Sequence, residues 1–223
     1  MPVDAAIPGP SGFSFDDGLR DRLAANLARH DRLELAHDDR HHAAVAVVVV
    51  DDDGPYDGPY AEAALLLTRR AARMRAHAGQ WALPGGRVDD GENPVAAALR
   101  ELHEELGLLL SATAMIGALD DYATRSGYVI TPIVFWAGAG TQLQPNPTEV
   151  FSVHRVPFHE LCRPDSPRFV SIAESEHPVV QVPIGNHLVH APTGAILVQF
   201  RRVAIEGTSM RVAHYEQPVF AWR

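Results

Sequence analysis

Cysteine is almost absent. Cys162 is the only one, so no disulfide can form within the chain and nothing in the sequence asks for an oxidising compartment. A lone thiol of this kind reads as a small buried side chain. Positive charge is also in deficit: 19 Lys+Arg against 28 Asp+Glu give a formal net charge of -9. That excludes a groove tracking a nucleic-acid backbone, which needs a basic face, but leaves room for a local basic patch holding a small phosphorylated ligand. Long apolar runs are missing too. The longest, AAVAVVVV from Ala43 to Val50, falls far short of a bilayer, and MPVDAAIPGPSGFSFDDGLR has no charged start leading into an apolar stretch. A cytoplasmic protein without nucleic-acid or membrane partners is the expectation. There is no internal repeat and no excess of disorder-promoting residues. The apolar share of 46% and charged share of 21% are those of a folding globular chain, and 223 residues suffice for one sizeable core.

The elements follow from periodicity. Residues 1–13, with Pro2, Pro8 and Pro10, read as a loose arm; Leu19, Leu23 and Leu27 recur at helical spacing behind Asp16 or Asp17, which can cap a first helix. HDDRHH, His37–His42, is a polar link directly before a strand, whose histidines read as structural or merely solvated rather than as metal ligands. The β-branched run Ala43–Val50 suits a buried strand, and Ala61–Arg70 a second one. Between them DDDGPYDGPY carries two Gly-Pro pairs and reads as a loop, with Asp51–Asp53 a solvated acidic run. Further strands are predicted at QWALP, ATAMIGALDDYA, YVITPIVFWAG, EVFSVHRVP and AILVQFRRVAI, and a short helix at VPFHELCR. This order predicts an α/β domain with a sheet covered on both sides. Residues 1–40 are expected as an arm and helix of the same unit, and 41–223 as its main domain.

The sharpest anomaly lies in GGRVDDGENPVAAALRELHEELGL, Gly85–Leu108. Asn93 followed by Pro94 starts a helix and Gly107 ends it. Val95, Ala98, Leu99, Leu102 and Leu106 share a core-facing arc, and Glu101, Glu104 and Glu105 fall in the adjoining one. Like charges at that spacing cost a few tenths of a kcal/mol per pair, and the helix C-terminus adds about as much again. Arg100 can pair with Glu104, but one guanidinium does not neutralise three carboxylates. A hard divalent cation, Mg²⁺ or Mn²⁺, can do so through oxygen ligands; the alternative is a solvated acidic face.

From Gly86 the spacing runs Gly, five residues, Glu92, seven residues, Arg100-Glu101-Leu102, His103, Glu104-Glu105, Leu106, Gly107-Leu108. This resembles the Nudix box without a departure. The resemblance implies an α/β/α sandwich with a mixed β-sheet between helices. It also implies an Mg²⁺- or Mn²⁺-dependent hydrolase of nucleoside diphosphates linked to another moiety. By matching position, Glu101 and Glu105 are the implied metal ligands, Glu104 is a third or water-mediated one, and the Gly86 carbonyl is a further candidate. Arg100 would orient a glutamate and Glu92 would brace the loop-helix junction, with Gly85 and Gly107 structural. Metals in such a site spread the charge of the diphosphate and align a water of lowered pKa for in-line attack. The base is either Glu101 or Glu149, the latter in NPTEV; for Glu149 an exposed loop carboxylate is the other reading. His103 reads as solvent-facing.

Just upstream, Leu66-Leu67-Thr68, Arg70-Ala71, Arg75, Gly79 and Pro84-Gly85-Gly86 are spaced as in the motif that precedes the box in coenzyme A diphosphatases of the Nudix family, to which the stretch is similar. TRSGYVITPIV, Thr124–Val134, is also similar to that group. The similarity implies cleavage of coenzyme A or acyl-CoA to adenosine 3′,5′-bisphosphate and (acyl-)phosphopantetheine, with Arg70, Arg75 and Gly79 as substrate contacts. Arg69 and Arg73 lie in the same cationic stretch, where guanidinium forks suit phosphates. Trp81 reads as core packing rather than a base-stacking platform. Leu83 stands where the motif has Phe, and WALPGG is similar to the general Nudix lead-in. ADP-ribose or another nucleoside diphosphate derivative is therefore the second expectation. A non-catalytic nucleotide-sensing Nudix domain is the reading of another class, and the intact glutamates oppose it. A homodimer, common in the family, is a further expectation.

Overall fold

A computed structural model describes residues 12–36, 38–52, 61–71 and 79–219. The expectations for Arg73 and Arg75, for nearly all of the N-terminal arm and for most of the Gly-Pro loop lie outside these residues.

Helix α1, Asp17–Arg29, starts where the Asp16 carboxylate accepts the Leu19 N–H at 2.8 Å, and it buries Leu19, Leu23 and Leu27. Strand β1, His41–Asp51, is the centre of the molecule. Its alternate residues serve two cores: Ala44, Ala46, Val48 and Val50 on one face, Val47 and Val49 on the other. Strand β2, Ala63–Arg70, pairs antiparallel with β1, as do β3, Trp81–Ala82, with β2 and β4, Gly85–Arg87, with β1. Helix α2, Pro94–Leu106, lays Ala97, Ala98, Leu102 and Leu106 on the first face. Its cap is the Asn93 side chain, which accepts the Ala96 N–H at 2.9 Å. Replacing Asn93 by Ala is expected to cost about 1 kcal/mol, read as a lower urea midpoint with an unaltered slope.

Beyond α2 come β5, Met115–Ala118, and β6, Tyr122–Ala123, both antiparallel to β7, Tyr128–Trp136; β7 runs parallel to β1 from His41↔Tyr128 to Val49↔Trp136. Strand β8, Val150–Pro157, closes on β2. The resulting eight-stranded sheet is mixed, as expected, with α2 on one face and α1 on the other. Among the described residues no helix is long and apolar enough to cross a membrane.

Three sequence expectations need correction. ATAMIGALDDYA is not one strand but a 3-10 turn, Ala112–Ala114, followed by β5 and β6. The break falls at Asp120 and Asp121, whose buried carboxylates turn away to residues near the end of α1. Asp120 meets His30 Nε2 at 2.9 Å and accepts the Leu33 N–H at 2.8 Å, while Asp121 pairs with Arg32 at 2.7 Å. Asp51 is not merely solvated: it pairs with Arg155 of β8 at 2.8 Å and accepts the Gly140 N–H at 2.9 Å.

The third correction is the largest. AILVQFRRVAI is helical, not extended: α4, Thr193–Phe200, continues into a π-helical turn, Arg201–Ile205. All eight residues of α4 are buried, so it has no solvent-facing side and shows no period by which to tell it from a buried strand. It packs between the main sheet and an unanticipated three-stranded sheet of β9, Arg168–Ile172, β10, Ser175–Ile184, and β11, His187–His190. Strand β10 contains Pro178 and Pro183, which are uncommon inside strands, and β9 is exposed along most of its length, so neither has the alternating signature. Between β8 and β9 the short helix expected at VPFHELCR is present as α3, Phe158–Leu161. Cys162, half-buried directly after it, has its thiol pKa pushed up by burial.

Candidate active site

The start of β4 and the last two turns of α2 meet because two glycines allow it. A Cβ on Gly85 would lie 2.3 Å from the Ala44 carbonyl oxygen, and one on Gly86 would lie 2.2 Å from Glu101 Oε1. The glycine backbone therefore forms a wall one residue thick, with the α2 carboxylates against one side of it.

Arg100 organises that side. It donates to Glu92 through Nε at 3.2 Å and Nη2 at 3.1 Å, to the Arg87 carbonyl at 2.9 Å, to Glu101 at 2.8 Å and to Glu104 at 3.2 Å. The Glu92 bonds, then Glu101, push its own pKa up, so it stays cationic under all working conditions. Glu92 in turn accepts the Asp89 N–H at 3.2 Å, which ties the turn after β4 to the helix. Gly107 ends α2 in the left-handed region at φ 64°.

The three glutamates differ sharply. Glu105 is buried, with only 7% of its side chain exposed; its Oε2 accepts the Gly85 N–H at 3.3 Å and its Oε1 lies 3.9 Å from Arg70 Nη1. Burial raises its pKa to about 7; Arg70 pulls it down, and Glu101 and Glu149 push it further up. Glu101, half-buried, is raised by burial as well, though Arg100 opposes the shift. Glu104 is 52% exposed and turns to Arg100. His103 is exposed, as its direction on the helix predicts. Glu149, at the mouth of β8, is close enough to repel both Glu101 and Glu105, and its carboxylate has no hydrogen-bond partner among the described residues. In the same set of residues no three acidic, imidazole or thiol side chains already converge on one point. Glu101 and Glu105 flank the glycine wall, and Glu104 is held aside by Arg100.

These donors nevertheless suit a hard divalent cation. Glu101, Glu104, Glu105 and the Gly86 carbonyl all offer oxygen ligands, and burial raises the pKa of Glu105 and, against the pull of Arg100, that of half-buried Glu101. Among the described residues Arg70 is the only cation facing Glu105, and its buried Nε has no hydrogen-bond partner there. Such an unmet donor beside these carboxylates fits an anionic ligand.

On the other side of the glycine wall is a cleft of about 730 Å³. Its floor is the sheet: Val45 and Ile130 in the middle, Arg69 and Trp81 towards one rim, Arg87 and Tyr128 towards the other. Its roof is β11 and the start of α4, with Leu188, His190, Thr193 and Ile196 turned to the opening. Sequence reasoning missed this roof entirely, since residues 187–196 carry no motif. Gly79 lines the cleft and joins β2 to β3: its N–H donates to the Arg70 carbonyl at 3.0 Å and its carbonyl accepts from Arg69 at 3.2 Å. Trp81 is half-buried and tilted against His154 at 4.5 Å and His187 at 5.7 Å between ring centroids, so it packs the core and also borders the cleft. The pKa of His154 beside it is lowered by burial and by the nearby Arg69 and His187.

Residues 40–174 match the model of the NUDIX domain. The chain is 36% identical over 138 residues to an uncharacterized Nudix hydrolase NudL of Photorhabdus laumondii, a match covering 60% of this chain and 74% of the relative. It is 42% identical over 100 residues to the protein of the same name from Yersinia pestis, there covering 44% of this chain and 50% of the relative, so it spans only half the length of that protein. Among solved structures, a MutT/nudix family protein from Enterococcus faecalis superimposes with a TM-score of 0.53 at 18% identity, over 76% of this chain and 64% of that one. That likeness concerns the fold.

Proposed function

This chain belongs to the Nudix family of hydrolases, and from that premise we propose that it cleaves the diphosphate of coenzyme A or acyl-CoA, releasing adenosine 3′,5′-bisphosphate and (acyl-)phosphopantetheine. The observation that carries the reading is the position of Arg70. It belongs to the coenzyme A-type motif, it lines the cleft, and it sits 3.9 Å from the buried Glu105 with an unmet N–H. A diphosphate lying along Gly85–Gly86 would meet that guanidinium on one side and the carboxylates on the other. The long cleft beyond, apolar in its middle, gives the rest of a large substrate somewhere to lie.

Glu101, Glu105 and the Gly86 carbonyl, with Glu104 swung in from Arg100, would hold Mg²⁺ or Mn²⁺. When bound, the metal neutralises the diphosphate and supplies an acidic water. Arg100 keeps Glu101 against Gly86 and fixes Glu92 to the preceding turn, so the position of Glu101 is set before substrate arrives. Arg70 takes a non-bridging phosphate oxygen. Glu149 is the better-placed proton acceptor for the attacking water, because Glu101 is already bonded to Arg100.

Leu83 in place of Phe favours a second reading, a hydrolase of ADP-ribose or a related nucleoside diphosphate derivative. A substrate panel with product identification separates the two. Coenzyme A with Mg²⁺ or Mn²⁺ is expected to give adenosine 3′,5′-bisphosphate; intact coenzyme A alongside cleaved ADP-ribose would reject the first reading for the second.

A further inference from the structure

The chain contains no lysine, so its permanent side-chain cations are all arginines. Most are neutralised within the fold: Arg100, Arg155, Arg163, Arg201 and Arg211 each lie within hydrogen-bond distance of a carboxylate. The three that line the cleft differ. Arg69 donates to the Gly79 carbonyl, Arg70 reaches no closer than 3.9 Å to Glu105, and Arg87 donates to the Tyr128 hydroxyl at 3.0 and 2.6 Å. Neither Arg69 nor Arg87 meets a carboxylate among the described residues. Acidic residues outnumber basic ones in this chain, 28 to 19, so guanidiniums left unneutralised around one cleft imply that the ligand brings the negative charge.

These cations are not all in one place. Arg69 and Arg70 end β2, Arg70 facing Glu105 and Arg69 turned to the Gly79 carbonyl. Arg87 reaches instead to Tyr128 of β7, and β1 stands between β2 and β7 in the sheet. The Arg87 guanidinium carbon lies 5.4 Å from the Tyr128 ring centroid, and because the phenol oxygen accepts both of its bonds, Arg87 Nη1 and the phenol proton stay available. Ser126 also lines the cleft, with its hydroxyl 3.1 Å from that of Thr124, so the pair can still turn a proton or a lone pair to a ligand. We propose that Arg87, Tyr128 and Ser126 form a second anion subsite, which binds a phosphomonoester that the substrate carries away from its scissile diphosphate. In coenzyme A that group is the ribose 3′-phosphate, an identification that rests on the substrate reading above. A dianionic phosphomonoester takes a guanidinium fork and a charge-assisted O–H bond together, whereas a bare ribose hydroxyl gains little from either.

Binding without turnover tests this. Adenosine 3′,5′-bisphosphate and 5′-AMP are titrated calorimetrically into the full chain in EDTA, with R87A, R87K and Y128F as variants. The parent is expected to prefer the bisphosphate about tenfold or more, a charge-assisted contact's worth. R87A should cut the preference to about twofold or less, with R87K and Y128F between. No preference in the parent, or equal weakening of both ligands by R87A, overturns the subsite. In kinetics, R87A should raise KM for coenzyme A about tenfold and that for 3′-dephospho-coenzyme A by less than about twofold. If coenzyme A is not hydrolysed at all, the substrate reading fails while the calorimetric comparison still decides the subsite.

Discussion

Exchanging Glu105 for Gln is expected to abolish turnover, lowering kcat in saturating Mg²⁺ or Mn²⁺ by about 10³ or more, while raising the stability of the metal-free protein. The first effect follows from its place. Glu105 is the most buried of the three α2 glutamates and the one facing Arg70, so its carboxylate is the one that would hold a metal beside the substrate. Losing about 4 kcal/mol of transition-state stabilisation corresponds to that loss of rate. The second effect follows from its pKa of about 7, raised by burial above the ordinary 4.5. The fold holds this proton more tightly than the unfolded chain does. No stability is lost below about pH 4.5; loss grows as pH rises to 7 and then levels near 3 kcal/mol. Gln carries no such penalty and can still accept the Gly85 N–H. In EDTA, urea unfolding should therefore show the parent weakening between pH 5 and pH 8 while E105Q does not share that decline. Metal should restore the parent at pH 8 and not the variant. A nucleotide sensor would keep its ligand response in E105Q; an enzyme loses its reaction, and undiminished turnover would remove Glu105 from the metal site.

The division between what the sequence disclosed and what it hid has a physical basis. Strand β1 and helix α2 were legible because their side chains sort by face: Val47 and Val49 against Ala46 and Val48, Leu102 and Leu106 against Glu101 and Glu104. Asn93 and Gly107 marked the ends of α2 because capping and the left-handed turn each demand particular residue types. Helix α4 was illegible for the opposite reason. Enclosed on all sides, it has no polar face to set a period, and its β-branched and aromatic content resembles a strand. The roof of the cleft was hidden with it, because His190 and Thr193 are brought over Val45 only by the long-range packing of the second sheet. Arg70 was found by motif, whereas the significance of Arg87 needed Tyr128, 41 residues away, in view.

The glycine pair at the wall yields the other large effect, and the two positions should fail in opposite ways. Gly85→Ala would put a methyl group 2.3 Å from the Ala44 carbonyl oxygen and 2.7 Å from Val45 Cα, both backbone atoms of the central strand, at a φ of 155°. Neither neighbour can retreat without parting β4 from β1, so a loss of about 3 kcal/mol or more in urea unfolding is expected. Gly86→Ala meets a different obstacle, the Glu101 carboxylate, with Oε1 at 2.2 Å and Cδ at 2.5 Å. A side-chain terminus can rotate away, so the fold should lose no more than about 1 kcal/mol. The rotation, however, takes Glu101 off the Arg100 bond at 2.8 Å and out of the position where it backs the wall. A displacement of that size at a metal ligand is expected to lower kcat about 10²-fold. Measured side by side, G85A should report on the sheet and G86A on the site. Full activity in G86A would mean that Glu101 acts from some other position than the one it occupies against Gly86, and that the close approach of β4 to α2 serves packing alone.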